Sequence, residues 1–178
     1  LPGIYQTKNI VTVAEAISLL NQGGFNIPEP AVHQGLQQVK KLTGLHGRWD
    51  ILHDQPLLVL DVGHNEEGMK EIAKQIELTS HEELHLIIGM VKDKAIENIL
   101  RHLPAAAHFY FTKAQIPRAL PETELAAKAE SVGLKGKAFP DVHQALQAAV
   151  NHAHAKDLIL VCGSVFLAGE VNIKEIVF

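Results

Sequence analysis

The sequence predicts an α/β protein: a mainly parallel β-sheet with helices on both faces and one antiparallel hairpin strand, preceded by two helices. From residue 57 onward, short apolar runs alternate with amphipathic stretches. Strands that are apolar throughout are typical of a parallel sheet that connecting helices bury on both faces. Polar turn residues follow several of these runs, at the points where a strand gives way to a helix.

The predicted strands cover residues 48–52, 57–61, 85–91, 108–112, 137–139 and 158–162. A turn at Asp54, Gln55 and Pro56 joins the first two. So short a connection implies an antiparallel hairpin, because a parallel pair needs a crossover of a dozen or more residues. The remaining strands alternate strictly with helices, which predicts a Rossmann-like sheet.

Two helices are expected before the first strand, because apolar residues recur there at helical spacing and no strand pattern separates them. The first covers residues 9–20 and ends at Gly23 and Gly24, and the second begins near Glu29, with Pro30 in its first turn. Later helices are expected at residues 66–78, 94–103, 122–132 and 142–154, with a final helix or short turn after Ser164.

Composition narrows the class of protein. The 178 residues carry a formal net charge of -4, with 47% hydrophobic and 20% charged residues, which is ordinary for a globular domain. Basic residues form no run, so neither a nucleic-acid partner nor a membrane partner is expected. The single Cys162 fits a reducing compartment, and we expect a cytoplasmic protein. The 11 histidines show no helical zinc spacing, so no protein-ligated metal is expected.

Candidate functional residues follow the predicted strands. The polar clusters are Asp61 to Asn65, Gly89 to Lys94, and Cys162 to Ser164, together with Gly47-Arg48 in the entry loop. The carboxyl ends of parallel strands share one edge, where ligands bind in open α/β sheets, so the clusters should line a single cleft. Asp61 and His64 are the first candidates for chemistry. The alternative is ordinary turn chemistry, with Asn65 capping the helix that follows.

Several motifs together resemble a known family. They are Leu1 to Asn9, with Gly3, Gln6 and Asn9 matching; Gly47-Arg48; Asp61-Val62-Gly63-His64-Asn65; Gly89 to Lys94; Pro117-Arg118-Ala119; and Gly163-Ser164. In this order, over nearly the whole chain, they resemble the carboxy-terminal part of folylpolyglutamate synthase and dihydrofolate synthase, within the Mur ligase family. One departure is Val62-Gly63, where that family often has Gly-Ala.

The resemblance implies an ATP-dependent amide ligase that uses Mg²⁺. In that family ATP phosphorylates a carboxylate of folate or dihydropteroate, and the amine of L-glutamate attacks the acyl phosphate. The implied roles are as follows: Asn9 and Gln6 near the adenine, Arg48 on the nucleotide, Asp61 on the ribose hydroxyls, His64 at the phosphates or the reacting centre, and Lys94 and Ser164 on the glutamate carboxylates. Arg118 is expected to pack its loop or contact a partner.

The resemblance also implies a domain division, with residues 1–42 as the tail of a central ATPase domain and 43–178 as the carboxy-terminal domain. No Gly-x-x-x-x-Gly-Lys-Ser/Thr motif occurs, so the P-loop and the metal ligands would lie in a preceding domain. We therefore expect a fragment that is inactive alone and holds neither ATP nor Mg²⁺ by itself. Two alternatives stay open: a ligase acting on a cell-wall precursor, and a separate doubly wound nucleotide-binding or regulatory module.

Overall fold

The structure, a computed structural model, describes residues 1–92 and 95–178. Its strands are β1 (Asp50–Asp54), β2 (Leu57–Leu60), β3 (Leu84–Ile88), β4 (His108–Phe111), β5 (Gly136–Ala138) and β6 (Leu158–Cys162). Its α-helices are α1 (Gln6–Gln22), α2 (Glu29–Gln37), α3 (Val39–Thr43), α4 (Glu66–Glu77), α5 (Ile96–Leu100), α6 (Glu122–Ser131), α7 (Val142–His152) and α8 (Val165–Gly169). A short 3-10 turn at Ile173–Glu175 follows.

The six strands form one sheet in the order β1-β2-β6-β3-β4-β5. β1 pairs antiparallel with β2, with a register shift between Ile51 and His53, and all other neighbours are parallel. The chain returns from β5 at one edge to place β6 between β2 and β3. This reversal brings the carboxyl ends of β2 and β6 together. The predicted mainly parallel sheet with one antiparallel hairpin strand is confirmed.

Helices cover both faces of the sheet because each buried strand alternates its side chains between two hydrophobic cores. On one face Leu86, Ile88 and Leu160 pack with residues of α4, α5 and α6. On the other face Ile87 and Ile159 pack with α7 and with α8. The apolar strand runs that predicted a doubly covered sheet therefore serve both cores.

The third strand ends earlier than the sequence predicts. Residues 85–91 were predicted as strand, but β3 ends at Ile88. At this point Met90 accepts a hydrogen bond from the Leu120 backbone at 2.8 Å, and Val91 forms an antiparallel bridge with Ala119. This turn diverts the chain toward the loop after β4, and α5 begins only at Ile96. The prediction for Lys94, at the start of the expected helix, falls outside the described residues.

The segment before the sheet contains the two expected helical regions. The second region is divided at Gln38, whose φ of -111° and ψ of 19° leave helical geometry, so α2 and α3 are separate. None of the residues of α1 is buried. Among the described helices, none is both long and apolar enough to cross a lipid bilayer.

Candidate functional site

A cleft of about 460 Å³ opens at the carboxyl end of β2, beside the amino terminus of α4. Three segments contribute to its lining: the start of α1, the loop before β1, and the turn from β2 into α4. The lining residues are Tyr5, Lys8, Asn9, Arg48, Asp61, Val62, Gly63, His64, Asn65, Glu67, Gly68 and Glu71. The cleft therefore lies at the sheet edge where α/β folds bind ligands.

Asp61 connects the three segments at the base of this cleft. Its side chain is buried, and Oδ2 accepts hydrogen bonds from the Tyr5 hydroxyl at 2.5 Å and from the Trp49 backbone N–H at 2.8 Å. Oδ1 accepts a hydrogen bond from the Gly63 backbone N–H at 2.8 Å. A carboxylate with two oxygens has about four lone-pair sites, so this pattern leaves acceptor capacity for a ligand hydroxyl.

Tyr5 brings the start of α1 to the cleft. Burial raises the pKa of Tyr5 well above its usual range, and the hydrogen bond to Asp61 raises it further, while the Arg48 charge opposes the shift. The phenol is therefore neutral and acts as the donor in this bond. Gly3 permits the arrangement, because a Cβ there would lie 2.7 Å from the Tyr5 ring.

The loop before β1 adopts an unusual backbone conformation that places Arg48 at the cleft. Gly47 and Trp49 have φ values of 76° and 51°, in the left-handed region. A Cβ at Gly47 would lie 2.5 Å from the Val62 side chain, and the Val62 N–H donates to the Gly47 carbonyl at 3.0 Å. A glycine is therefore required for this close approach. The Arg48 guanidinium, half-buried, lines the cleft beside Asp61.

His64 is exposed in the turn after β2. Its Nδ1 lies 3.0 Å from the Val62 carbonyl oxygen. Because a carbonyl only accepts, Nδ1 carries the hydrogen, and Nε2 of the neutral ring keeps its lone pair for another group. Asn65 caps α4, with its side chain accepting from the Gly68 N–H at 2.8 Å. The capping role considered for Asn65 is thus present, and it leaves His64 unassigned.

A second, smaller pocket of about 130 Å³ adjoins the cleft, and His64 lines both. Ser164 at this pocket is buried and caps α8, accepting from the Phe166 N–H at 3.1 Å. The Arg118 guanidinium lies 5.5 Å from the centre of the Phe166 ring. Arg118, expected to have a packing or partner role, therefore also lines this pocket.

Gly163 joins the two turns. Its N–H donates to the Gly63 carbonyl at 3.0 Å, which ties the loop after β6 to the loop after β2. Its φ is 103°, and a Cβ there would lie 2.6 Å from the Gly89 carbonyl oxygen. The expectation that these polar turns share one sheet edge therefore agrees with their positions.

The structure does not place every sequence candidate in the cleft. Arg48, Asp61, His64 and Asn9 line it, whereas Gln6 supports Asn9 by accepting a hydrogen bond from its amide at 2.9 Å. The Nε2 atom of Gln6 is buried and has no hydrogen-bond partner among the described residues. Ser164 belongs to the smaller pocket, and Lys94 lies outside the described residues.

Sequence reasoning did not select three residues of this site. Tyr5 and Trp49 hydrogen-bond Asp61, and Lys8 pairs with Glu71 at 2.7 Å. Trp49 contributes only its backbone N–H to this contact, so the identity of its side chain could not have indicated this role. The position of Tyr5 between Gly3 and Gln6, two matching residues of the first motif, was the one available signal.

The fold and the cleft define a Rossmann-like α/β domain with a cleft at the carboxyl end of its central strand β2. Residues 47–165 match the family model described as "Mur ligase, glutamate ligase domain". This match covers more than half of the chain, and the chain belongs to that family.

The similar proteins include folate enzymes. The chain is 31% identical over 153 residues to the dihydrofolate synthase/folylpolyglutamate synthase of Escherichia coli, covering 85% of this chain and 34% of that protein. It is 30% identical over 176 residues to a probable bifunctional folylpolyglutamate synthase/dihydropteroate synthase of Haloferax volcanii, covering 97% of this chain and 20% of that protein. The chain thus spans about a third or less of these relatives.

Solved structures support the same assignment. Escherichia coli FolC in complex with DHPP and ADP superposes with a TM-score of 0.71 at 29% identity, covering 86% of this chain and 35% of that one. A bifunctional folylpolyglutamate synthase/dihydrofolate synthase with Mn, AMPPNP and L-glutamate bound gives a TM-score of 0.72 at 28% identity, covering 86% of this chain and 36% of that one.

Proposed function

We propose that this chain forms the carboxy-terminal portion of an ATP-dependent amide ligase that adds L-glutamate to folate or dihydropteroate. Residues 1–42 would be the tail of a central ATPase domain, and 43–178 the carboxy-terminal domain. The observation that carries the proposal is the cleft centred on Asp61, which joins the first residues of α1 to the sheet. The family match and the similarity to the folate enzymes support it.

The cleft suits part of a nucleotide. Its volume of about 460 Å³ falls within the usual range for small-molecule sites. Arg48 offers a planar cation that stacks on a ring or pairs with phosphate oxygens. Asp61 retains about one acceptor site for a ribose hydroxyl, and Asn9, held by Gln6, presents a side-chain amide for the adenine.

Asp61 already accepts three hydrogen bonds, and the two glutamates that line the cleft are already paired with lysines. Glu71 lies 2.7 Å from Lys8 and 3.6 Å from Lys74, and Glu67 lies 2.8 Å from Lys70. We therefore assign the Mg²⁺ ligands and the phosphate-binding loop to another part of the enzyme. Bound ATP supplies the phosphoryl group that activates the acceptor carboxylate as an acyl phosphate.

His64 lies between the cleft and the smaller pocket, where a phosphoryl group and an incoming amine would meet. With Nδ1–H donated to Val62, its Nε2 accepts a proton, and the resulting cation would stabilise negative phosphoryl oxygens. The smaller pocket, with Ser164 and Arg118, would receive a glutamate carboxylate through a hydroxyl and a cation. Lys94, which lies outside the described residues, stays a candidate for the second carboxylate.

The test is substrate dependence in the complete enzyme that contains this chain. ADP release should require L-glutamate together with folate or dihydropteroate, and mass spectrometry should show the acceptor gaining one glutamyl unit. A cell-wall precursor offered in place of the folate should produce no ADP. If the cell-wall precursor alone supports turnover, the acceptor assignment is wrong.

The buried Cys162, which forms no disulfide, supports a cytoplasmic location.

A further inference from the structure

The opposite edge of the sheet carries a second cluster of polar side chains. Glu83 precedes β3 and Asp157 precedes the parallel neighbour β6, while His85 lies at the start of β3. One donor atom from each of these three residues lies within 4.8 Å of the other two. Parallel strands begin at this edge of the sheet and end at the opposite edge. The cluster and the cleft at Asp61 therefore lie at opposite ends of the strands.

His85 is buried in an incomplete hydrogen-bonding environment. It is 1% exposed, and its Nε2 has no hydrogen-bond partner among the described residues although Asp157 Oδ2 lies 3.4 Å away. Its Nδ1 lies 3.1 Å from the Tyr110 hydroxyl oxygen. When Nδ1–H donates to Tyr110, the Nε2 lone pair faces Asp157, as in metal-binding histidines whose other nitrogen is fixed by a hydrogen bond.

Asp157 is held in place by the backbone. It is 1% exposed, with Oδ1 accepting from the Glu83 N–H at 3.0 Å and Oδ2 from the His154 N–H at 2.7 Å. Each oxygen keeps one further lone pair. With the Nε2 lone pair of His85 facing it, the buried Asp157 carboxylate gains no hydrogen bond from the ring, and a cation between the two groups would satisfy both.

Glu83 and His108 supply the open side of the cluster. The Glu83 side chain is 56% exposed and lies 3.0 Å from His108 Nε2. The His108 ring stacks on His85 with their centres 5.0 Å apart. These residues line a pocket of about 310 Å³, which gives an ion a path from solvent. The sequence showed no such site because Asp157 lies 74 residues after Glu83 and meets it only through the pairing of β3 with β6.

We propose that Glu83, His85 and Asp157 bind a divalent transition-metal ion, with Zn²⁺ as the fitting probe. One imidazole and two carboxylates are ligand types that Zn²⁺ accepts, whereas Mg²⁺ prefers oxygen ligands alone. Three protein ligands leave a fourth position for water or for His108. The ion would clamp the starts of β3 and β6 and would stabilise the sheet.

The first test is calorimetric titration of the 178-residue chain with ZnCl₂ near neutral pH. We expect one saturable site, no binding of MgCl₂, and affinity at least about tenfold weaker for Glu83→Gln, because a lost ligand should cost no less than a lost outer-shell partner. Glu83 is exposed, so this variant should fold. Glu82→Gln is the matched control, since Glu82 is an exposed neighbour that pairs with Lys156 at 2.8 Å.

The second test identifies the ligands. Zn²⁺ should shift the nuclear magnetic resonance signals of the His85 and His108 rings before those of the other histidines, and should raise the melting temperature of the wild type and Glu82→Gln but not of Glu83→Gln. Absence of saturable Zn²⁺ binding would overturn the proposal. Equal affinity in Glu83→Gln would also overturn it, because binding would then come from scattered surface histidines. Neither readout involves ATP, folate or glutamate.

Discussion

The buried carboxylate of Asp61 holds together three segments of the chain: the residues before α1, the loop before β1 and the turn after β2. Two of its three hydrogen bonds cross between segments, to Tyr5 and to Trp49. The third, to Gly63, shapes the turn that carries His64. A single side chain thus joins the segments that line the cleft and contacts the turn that carries His64.

We expect Asp61→Asn to lower the free energy of unfolding of the chain by about 1–3 kcal/mol, the usual cost of leaving a buried donor without an acceptor. The new amide group would face N–H or O–H donors where a carboxylate oxygen now accepts. Urea denaturation measures the change. Tyr5→Phe removes one of the three bonds and should cost less, so a larger loss for Tyr5→Phe would contradict this account.

His64→Ala should separate activity from stability. The ring is exposed and contacts its own turn, so the melting temperature should hardly change, because surface substitutions usually stay within about 0.5 kcal/mol. In the complete enzyme kcat should fall by about a hundredfold, the lower end of the loss for removing one group that stabilises developing negative charge. His33→Ala, an exposed histidine on α2, is the control. An unchanged kcat with a lower melting temperature would indicate a structural role.

Sequence reasoning finds residues of the site through their motifs but not through their contacts. Arg48 follows Gly47 in the loop before β1, and Asp61 and His64 lie in the glycine-containing turn after β2, where turn chemistry draws attention to them. The bond from Tyr5 to Asp61 spans 56 positions in the chain. No local pattern encodes so distant a pairing, because it depends on how α1 meets the sheet.

At the level of elements, Asp50 attaches α3 and the following loop to β1. Lys40 Nζ lies 2.5 Å from its Oδ1, and His46 Nδ1 lies 3.0 Å from its Oδ2. Burial by itself raises the pKa of Asp50, but these hydrogen bonds outweigh burial and hold the pKa below its usual value. The folded state therefore favours the ionised carboxylate.

This shift predicts how stability depends on pH. Because the folded-state pKa of Asp50 is lower than the unfolded one, its contribution is full above about pH 4 and is lost as the pH falls through the folded-state value. Asp50→Asn should be less stable than the wild type at pH 7, and the difference should shrink in acid. Unfolding measured across this range tests it, with the exposed Asp54→Asn as control. A difference independent of pH would exclude the ionic explanation.

The elements themselves were largely predictable. The apolar run at residues 158–162 is β6, and the amphipathic run after Asn65 is α4. The end of β3 was not predictable, because Met90 and Val91 continue the apolar pattern while pairing with the loop before α6. The hydrophobic pattern indicates that these residues are buried, but it does not indicate which segment of the chain they pair with.

Across the described part of the molecule, the buried residues are concentrated in the sheet and the helices packed on it, and not in α1. The strands β3 and β6 are buried at every position, whereas α1 has no buried residue. Ile10, Val11 and Leu19 on α1 are exposed at 48%, 70% and 58%. Its start is nevertheless attached to the rest of the domain, because Tyr5 hydrogen-bonds Asp61 at the end of β2 and Lys8 pairs with Glu71 on α4.

Hydrogen exchange of the 178-residue chain should reveal this difference. Amide protection should decrease along α1, from the turn near Lys8 toward Leu20, because few buried contacts hold its far end. Amides of α7, which has five buried residues, should exchange much more slowly. Mass spectrometry of peptides from the two helices measures the rates. Equal protection in both helices would mean that α1 is covered in solution.

The two outer strands of the sheet bear on how the chain behaves at high concentration. The edge strand β5 has only three residues with which another strand could pair; Lys135 precedes it and Lys137 lies within it. The other edge strand, β1, has an irregular register between Ile51 and His53. Short, charged or bulged borders resist the addition of a foreign strand. The sheet thus ends in two poor templates, which should protect the chain against fibril growth.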